Sequence, residues 1–410
     1  MKGYFNTFII IKAFFVAFAL SAFIYFEYFG LHVKLLDSLF AIAGFYALFR
    51  AKPKEAFFIG FFIGLFWFYW IALSFRYYEL VWLIPLVILG VALIYGTIFY
   101  LFARLSPYGM LRALGIVFFS FVAPFGFNWL QFELVLINSY FSSEFFAFAG
   151  FIFLIYLVNI APKKWKILPL LALILLSFYP LHESPKDLPP LGIEIVNLKL
   201  DQAKKWNENY KQDIVQENLK LIEKAYESGA SVIVFPESAM PVYLNLDAQL
   251  YAKLQALSQK ITIITGALSV VNQEVLNSTF VFEKGEVQVA HKVILVPFGE
   301  QIPLPKFARN FINKIFFNGA SDYAHEQNPQ DFLVRGVKFR NAICFEATKD
   351  ALYTHNPDFM IAISNNAWFT PSIEPTLQNL LLRYYAQKYN TIIYHSANAG
   401  KSGVIFPSKR

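Results

Sequence analysis

Residues 1 to about 180 are almost continuously apolar, and this stretch constrains the chain more than any other feature. Hydrocarbon offers no water to unpaired backbone N–H and C=O groups. A segment that crosses it must satisfy them internally, so helices are the structure to expect. One crossing takes roughly 20 apolar residues, with a range of about 17–25. Seven segments are read: residues 6–26, 35–49, 56–75, 80–103, 113–130, 144–161 and 166–180, the second and seventh of them short. The chain as a whole is 57% hydrophobic and 15% charged, against roughly 25% charged in a typical soluble protein. That excess is concentrated in the first half.

Loop charges predict the orientation. Lys2 and Lys12 lie at the N-terminus, Arg50, Lys52 and Lys54 in the second connection, Arg104 and Arg112 in the fourth, and Lys163, Lys164 and Lys166 in the sixth. The alternate connections carry Lys34 and Arg76, and the long 131–143 stretch carries nothing basic. Nine or ten positive charges against two is a clear inside bias. The N-terminus is expected in the cytoplasm, and seven crossings put everything beyond residue 180 outside. The net charge of +7 is spread through these loops and not gathered into a nucleic-acid tract. The apolar segments lack the buried charges that mark many transport routes.

Residues 179–192 (YPLHESPKDLPPLG) are proline-rich and read as a linker. Three regions are therefore expected: a membrane domain over 1–182, a linker over 183–192 and a second domain over 193–410. In the second domain the periodicity changes. Strands are expected at 192–200, 231–237, 261–270, 338–347, 358–368 and 391–397, with helices at 208–228, 246–259 and 373–389. Residues 278–295 read as a hairpin turning at Lys284-Gly285. Strands alternating with helices imply an α/β domain.

Three polar residues fall at the ends of apolar strands. Glu237 follows VIVFP, Lys292 closes the hairpin, and Cys344 follows NAI. Catalytic groups in α/β folds gather at strand ends. Cys344 is the only cysteine, which excludes an internal disulfide and any multi-cysteine metal site. A thiol is a poor nucleophile until it loses its proton. Glu237 can take that proton, while Lys292 can favour the thiolate and then an oxyanion. An ordinary Glu237–Lys292 ion pair beside an inert buried cysteine accounts for the same pattern. The six histidines show no HExxH spacing, and there is no P-loop or GxGxxG, so neither a metal nor a dissociable cofactor is expected.

The flanking residues go further. PES (236–238), HKVILVPFGE (291–300) and CFE (344–346) resemble the three catalytic segments of the nitrilase superfamily. With SNNAWF (364–369) and the multi-helix N-terminal half, the chain resembles that superfamily's membrane-embedded branch, the apolipoprotein N-acyltransferases. The resemblance covers nearly the whole chain. It implies a polytopic α-helical membrane domain of about seven helices followed by a nitrilase-like αββα sandwich. It implies Glu237 as general base, Lys292 as oxyanion stabiliser and Cys344 as nucleophile, with Glu300 and Glu346 as accessory carboxylates. Trp206, Phe298, Phe345 and Trp368 are the implied substrate-binding aromatics. The implied reaction moves an acyl chain from a glycerophospholipid, through a Cys344 thioester, to the amine of a diacylglyceryl-cysteine lipoprotein. The implied place is the bacterial inner membrane, with the catalytic domain on its periplasmic side and the chain a monomer.

Two departures from the family pattern stand out. Phe345 occupies a position where the family often has tyrosine, so a hydroxyl is lost. The chain also stops at GVIFPSKR (403–410), where further strands and a returning helix are expected of the family. Residues 304–320 form a basic amphipathic segment, either a membrane-dipping lid or a helix packed on its own domain. The aromatic run 66–78 is either part of a substrate entrance or an interfacial belt. A membrane-tethered amidase and an inactive scaffold are the alternative functions.

Overall fold

The computed structural model describes residues 7–178, 186–303, 305 and 323–407. Apart from Pro305, the amphipathic segment 304–320 lies outside the described residues, as does Lys2. The chain divides into two compact units: Met1–His182 with Ser372–Leu380, and Glu183–Pro371 with Leu381–Arg410.

In the first unit, α1 (Thr7–Tyr28), α2 (Lys34–Arg50), α3 (Pro53–Phe68) and α4 (Ile84–Leu105) follow the apolar runs. At 1.5 Å per residue, 22 residues of α1 or α4 reach about 33 Å, enough for a hydrocarbon core of about 30 Å. The helix of α3 continues in a tighter form through Tyr69–Tyr78, so Pro53–Tyr78 is also long and apolar enough to cross. Gly60 and Gly64 let α3 lie directly against α4. A β-carbon on Gly60 would stand 2.4 Å from the Tyr95 carbonyl, and one on Gly64 would stand 2.8 Å from Ala92 Cα. Such small-residue pairs four apart are a device for close helix approach in lipid. Three shorter helices follow, α5 (Met110–Val117), α6 (Phe145–Ile160) and α7 (Ile167–Leu176).

The expected helix over 113–130 is not continuous. It stops at Val117 and gives way to short turns at Phe119–Phe121, Pro124–Gly126 and Phe132–Leu136. Pro124 lacks a backbone donor, and Phe125 and Gly126 both take positive φ, which no helix accommodates. Residues 131–137, part of the 131–143 stretch that read as an external loop, are buried instead. Irregular backbone is tolerated at this depth where protein supplies the hydrogen bonds. Ser120 does so here, donating to Glu133 and accepting from the Phe132 amide.

The expected lack of buried charge is also corrected. Asp37, Glu55, Arg112 and Glu133 are all buried. Arg112 is 0% exposed and donates to five carbonyls, those of Leu48, Ala51, Ala103, Ser106 and Pro107. These close the C-terminal ends of α2 and α4, whose last carbonyls have no partner within the helix. Arg112 is therefore a staple and not a free loop charge. Lys12 pairs with Glu55 at 2.7 Å.

The second unit is built on two six-stranded sheets. The first runs β1 (Ile193–Ile195), β3 (Val232–Val234), β5 (Thr262–Val271), β6 (Glu274–Glu283), β7 (Glu286–His291), with β4 (Met240–Tyr243) also on β5. The second runs β12 (Gly403–Ile405), β11 (Ile392–Asn398), β10 (Phe359–Asn365), β9 (Val337–Ile343), β8 (Asp331–Val334), with β2 (Asn197–Leu198) also on β11. Strand alternation assigns the faces. Val232, Val234, Ile264 and Val281 meet Ile343, Ile361, Ile363 and Ile392 between the sheets. Ile233, Phe235, Ile263 and Phe282 turn the other way, onto Leu219 and Ile222 of α9 (Glu208–Glu227) and Leu254 of α10 (Ala248–Leu257). On the second sheet, Tyr385 of α11 (Glu374–Tyr389) stacks on Tyr353, beyond the end of β9. The sandwich expected from the resemblance is the one found, with β4, β8, β12 and a four-residue helix α8 (Gln202–Lys205) added to the elements read from sequence.

Candidate active site

Cys344 follows the last residue of β9 and has φ 58°, in the left-handed region. A residue with a β-carbon is strained there by about 1–3 kcal/mol. The conformation turns the chain sharply out of the strand, and Cys344 remains partly exposed. Glu346 fixes this turn from within. It is fully buried, and its Oε1 accepts from the Ile343 amide at 2.8 Å. Its Oε2 accepts from the Val293 and Ile294 amides at 2.7 and 3.0 Å. One carboxylate thus clamps the backbone beside Cys344 to the backbone beside Lys292. Burial pushes the Glu346 carboxyl up to about 7, while Lys292 and the three amides pull it down.

Lys292 follows the end of β7 and is 1% exposed. Its backbone amide donates to the Asn277 carbonyl at 2.8 Å, which seats it beside β6. Its ammonium lies 2.9 Å from Oε1 and 2.7 Å from Oε2 of Glu300, and 3.9 Å from Oε1 of Glu237. Burial works against its charge, yet Glu300, Glu237 and Cys344 together outweigh that and raise its pKa above the ordinary lysine range. Lys292 is a fixed cation. Glu300 reaches it because Pro297–Gln301 closes a tight turn, with the Glu300 amide on the Val296 carbonyl at 2.9 Å. The Val296 amide in turn donates to Glu300 Oε2 at 2.9 Å.

Glu237 leaves β3 through Pro236 and precedes Ser238, which has φ 48°. Its Oε1 accepts from Asn277 Nδ2 at 2.6 Å, and the same nitrogen is 3.3 Å from Glu300 Oε1. Its backbone rests on Gly266 of β5: a β-carbon there would stand 2.7 Å from Glu237 Cα and 2.6 Å from the Ser238 nitrogen. Its carbonyl accepts from Lys205 Nζ at 2.9 Å. Lys205 lies within electrostatic reach of both Glu237 and Cys344. Glu237, Lys292, Cys344, Glu300 and Glu346 are thus drawn into one cluster.

The comparisons with known proteins bear on what this cluster belongs to. A family model described as apolipoprotein N-acyltransferase integral membrane domain matches residues 7–179, and one described as carbon-nitrogen hydrolase matches residues 200–407. An apolipoprotein N-acyltransferase of Wolinella succinogenes is 45% identical over 398 residues, covering 96% of this chain and 95% of that one. The chain belongs to the apolipoprotein N-acyltransferase family. Relatives of the same name from Helicobacter pylori and Campylobacter jejuni are 42% and 34% identical. They cover 91% and 98% of this chain, and 88% and 90% of their own lengths.

As a member of that family the chain is an integral membrane enzyme. Its aromatic candidates fall in several places. Trp206 ends α8 and is half-buried. Trp368 closes the turn after β10, the parallel neighbour of β9. Phe298 is exposed at the tip of the Pro297–Gln301 turn, with φ 61°. Phe345 is buried, and the Lys349 ammonium lies 4.1 Å from its ring centre, within cation–π range. Sequence reading missed two polar residues of the cluster, Asn277 and Lys205. Asn277 has no motif signal, although a buried asparagine in an apolar strand needs partners.

Proposed function

We propose that the chain is an acyltransferase that carries a fatty acyl group on Cys344, from a glycerophospholipid to the α-amine of a diacylglyceryl-cysteine lipoprotein. In the first half-reaction Glu237 takes the thiol proton and the thiolate attacks the ester carbonyl. The oxyanion develops beside Lys292, which needs no proton transfer to meet it. Collapse expels the glycerol oxygen, which takes the proton back from Glu237 and leaves as a lysophospholipid. In the second half-reaction the lipoprotein amine attacks the thioester, Glu237 accepts its proton, and the Cys344 thiolate departs. A covalent intermediate of this kind gives ping-pong kinetics.

The buried Lys292 ammonium carries this reading. It is held by both oxygens of Glu300 and lies 3.9 Å from Glu237. A cation so costly to bury has a use where negative charge appears during a reaction. Membrane anchorage supports lipid substrates, since extracting a chain into water costs about 0.8 kcal/mol per CH₂. Basic residues clustered at Arg50–Lys54, Arg104 and Lys163–Lys166 support a cytoplasmic N-terminus and a periplasmic catalytic domain in the inner membrane. We take the acting unit to be the monomer.

The test is to incubate purified protein with acyl-labelled phospholipid and a diacylated lipopeptide. Acyl mass on Cys344, its loss in Cys344→Ser, and N-acylated peptide are expected. Free fatty acid without N-acyl product would assign a hydrolase. Folded protein that never labels would make it a scaffold.

A further inference from the structure

Lys205 is a second buried lysine beside the proposed nucleophile, and no motif in the sequence marks it. It is 1% exposed. Among the described residues, no carboxylate comes within 4.0 Å of its ammonium, and the hydrogen bond it makes is the one to the Glu237 carbonyl at 2.9 Å. A lysine kept so far from water without a bonded counter-ion is costly. That cost calls for a compensating role.

The mount on which Lys205 sits is rigid. Asp201 caps α8 by accepting from the Ala203 and Lys204 amides. Gln202 Oε1 accepts from Asn365 Nδ2 at 2.8 Å, and Asn365 Oδ1 accepts from Asn398 Nδ2 at 2.9 Å. Asn398 also brackets Leu200, accepting from its amide at 2.8 Å and donating to its carbonyl at 3.0 Å. All three amide side chains are buried. The segment that presents Lys205 is therefore bolted to the ends of β10 and β11, and the ammonium is delivered to the turn that carries Glu237. That turn has Gly266 against its other side.

We propose that Lys205 is a positioning residue of the acyl-transfer site, pinning the Glu237 turn through its carbonyl and favouring the Cys344 thiolate through its charge. Two charges favour its protonated form, those of Glu237 and Cys344, while burial opposes it and brings its pKa down to about 8. The coupling is mutual: what Cys344 ionisation does for Lys205, the Lys205 cation does for the thiolate. Thioester formation removes the thiolate and weakens that tie, so Lys205 distinguishes the free enzyme from the acyl-enzyme. Lys292 feels Cys344 too, but Glu300 and Glu237 also support its charge.

This inference rests on Cys344 being the nucleophile, and the test keeps the two apart. The rate of Cys344 alkylation by iodoacetamide is measured against pH in the full chain in detergent, for wild type, Lys205→Met and Lys205→Arg, by intact mass. Acylation by phospholipid is measured on the same samples. In Lys205→Met the alkylation midpoint should rise by about one unit, and acylation at neutral pH should fall about 10-fold or more. Lys205→Arg, which keeps the charge, should hold the wild-type midpoint. A folded Lys205→Met with wild-type midpoint and acylation rate overturns the inference and leaves the acyltransferase reading standing. If Lys205→Met does not fold, Lys205→Gln takes its place, with the same rise in midpoint expected and a wild-type midpoint overturning the inference. A Cys344 thiol ionising at or above the free value of about 8.5 overturns the inference. Wild type that alkylates below that value but never acylates overturns the proposed function instead.

Discussion

Replacing Glu300 by glutamine should cripple acyl-enzyme formation while leaving Glu237, Lys292 and Cys344 in place. Glu300 Oε2 is 2.7 Å from the Lys292 ammonium, and at an effective dielectric near 20 that attraction is about 6 kcal/mol before desolvation is counted. Removing one partner of a buried pair costs about 3–5 kcal/mol net. The geometry sharpens the cost. Both carboxylate oxygens accept, Oε1 from Lys292 and Asn277, and Oε2 from Lys292 and the Val296 amide. An amide offers one oxygen, so in either orientation its NH₂ faces a donor. Lys292 then loses the first of the charges that hold its pKa up. The pH consequence has a definite sign. In wild type the raised Lys292 keeps its proton well above neutrality, and its contribution to stability is complete below the unfolded lysine value of about 10.4. That contribution fades as pH rises beyond this value toward the raised one. In Glu300→Gln the proton leaves at lower pH, so an alkaline decline enters the activity profile. Single-turnover acylation of Cys344 from labelled phospholipid, read by intact mass from pH 6 to 10, should be about 10²–10³-fold slower. Glu300→Asp, which retains the charge, should recover part of it. A Glu300→Gln protein with wild-type rate and wild-type pH profile would refute the argument that Glu300 maintains the Lys292 cation.

Arg112→Met should lower the thermal midpoint in detergent, because five carbonyls at the ends of α2 and α4 lose a donor, and each one left buried without a partner costs about 1–3 kcal/mol; an unchanged midpoint would refute the staple. Gly266→Ala should slow acylation about 10²-fold, since its β-carbon meets backbone atoms of Pro236, Glu237 and Ser238 at 2.6–2.9 Å and displaces the base. Wild-type turnover in that variant would mean that the turn shifts without consequence. Glu346→Gln should separate Cys344 from Lys292, because one amide oxygen cannot accept from Ile343, Val293 and Ile294 together. The expected readout is slower acylation with little change in iodoacetamide access to the thiol.

Apolar run length served well for the membrane unit where helices are regular. α1, α3 and α4 emerged because each run is long and uninterrupted, and α2 emerged from a shorter one. It failed over 113–130, because hydropathy measures burial and not backbone form. The residues from Phe119 to Ile137 are as apolar as a helix, yet Pro124, Phe125 and Gly126 interrupt them. Arg112 has a second use that the loop-charge reading does not capture. Loop charge is a statistical guide to topology, and a guanidinium with five donors is also well suited to tying off helix ends. In the second unit, alternation revealed the long strands and Lys284-Gly285 revealed its turn, where both residues take positive φ. Strands of three or four residues, β4, β8 and β12, carry too few alternations to register.

The site was legible in proportion to how local its signals are. Glu237, Lys292 and Cys344 each end an apolar strand, and Glu300 shares a turn with Pro297 and Gly299. Asn277 and Lys205 depend on partners far away in sequence. Lys205 lies in a Lys-Lys pair beside Trp206, a pattern that reads as a solvated surface. Its burial arises because β2 pairs with β11 and because Asn398, nearly 200 residues later, brackets Leu200. The adjacent Lys204 makes the same point: it is exposed, near the Tyr210 ring, while Lys205 is sealed against Glu237. Identical neighbours with opposite fates are separated by which side of a single helical turn faces the sheet ends. That side is set by the Gln202–Asn365–Asn398 amides, so exchanging the chemistry of positions 204 and 205 (Lys204→Met against Lys205→Met) is a direct comparison. The first should leave the Cys344 alkylation profile as it is and the second should move it. An equal shift in both would mean that general surface charge, and not the buried ammonium, sets the behaviour of the thiol.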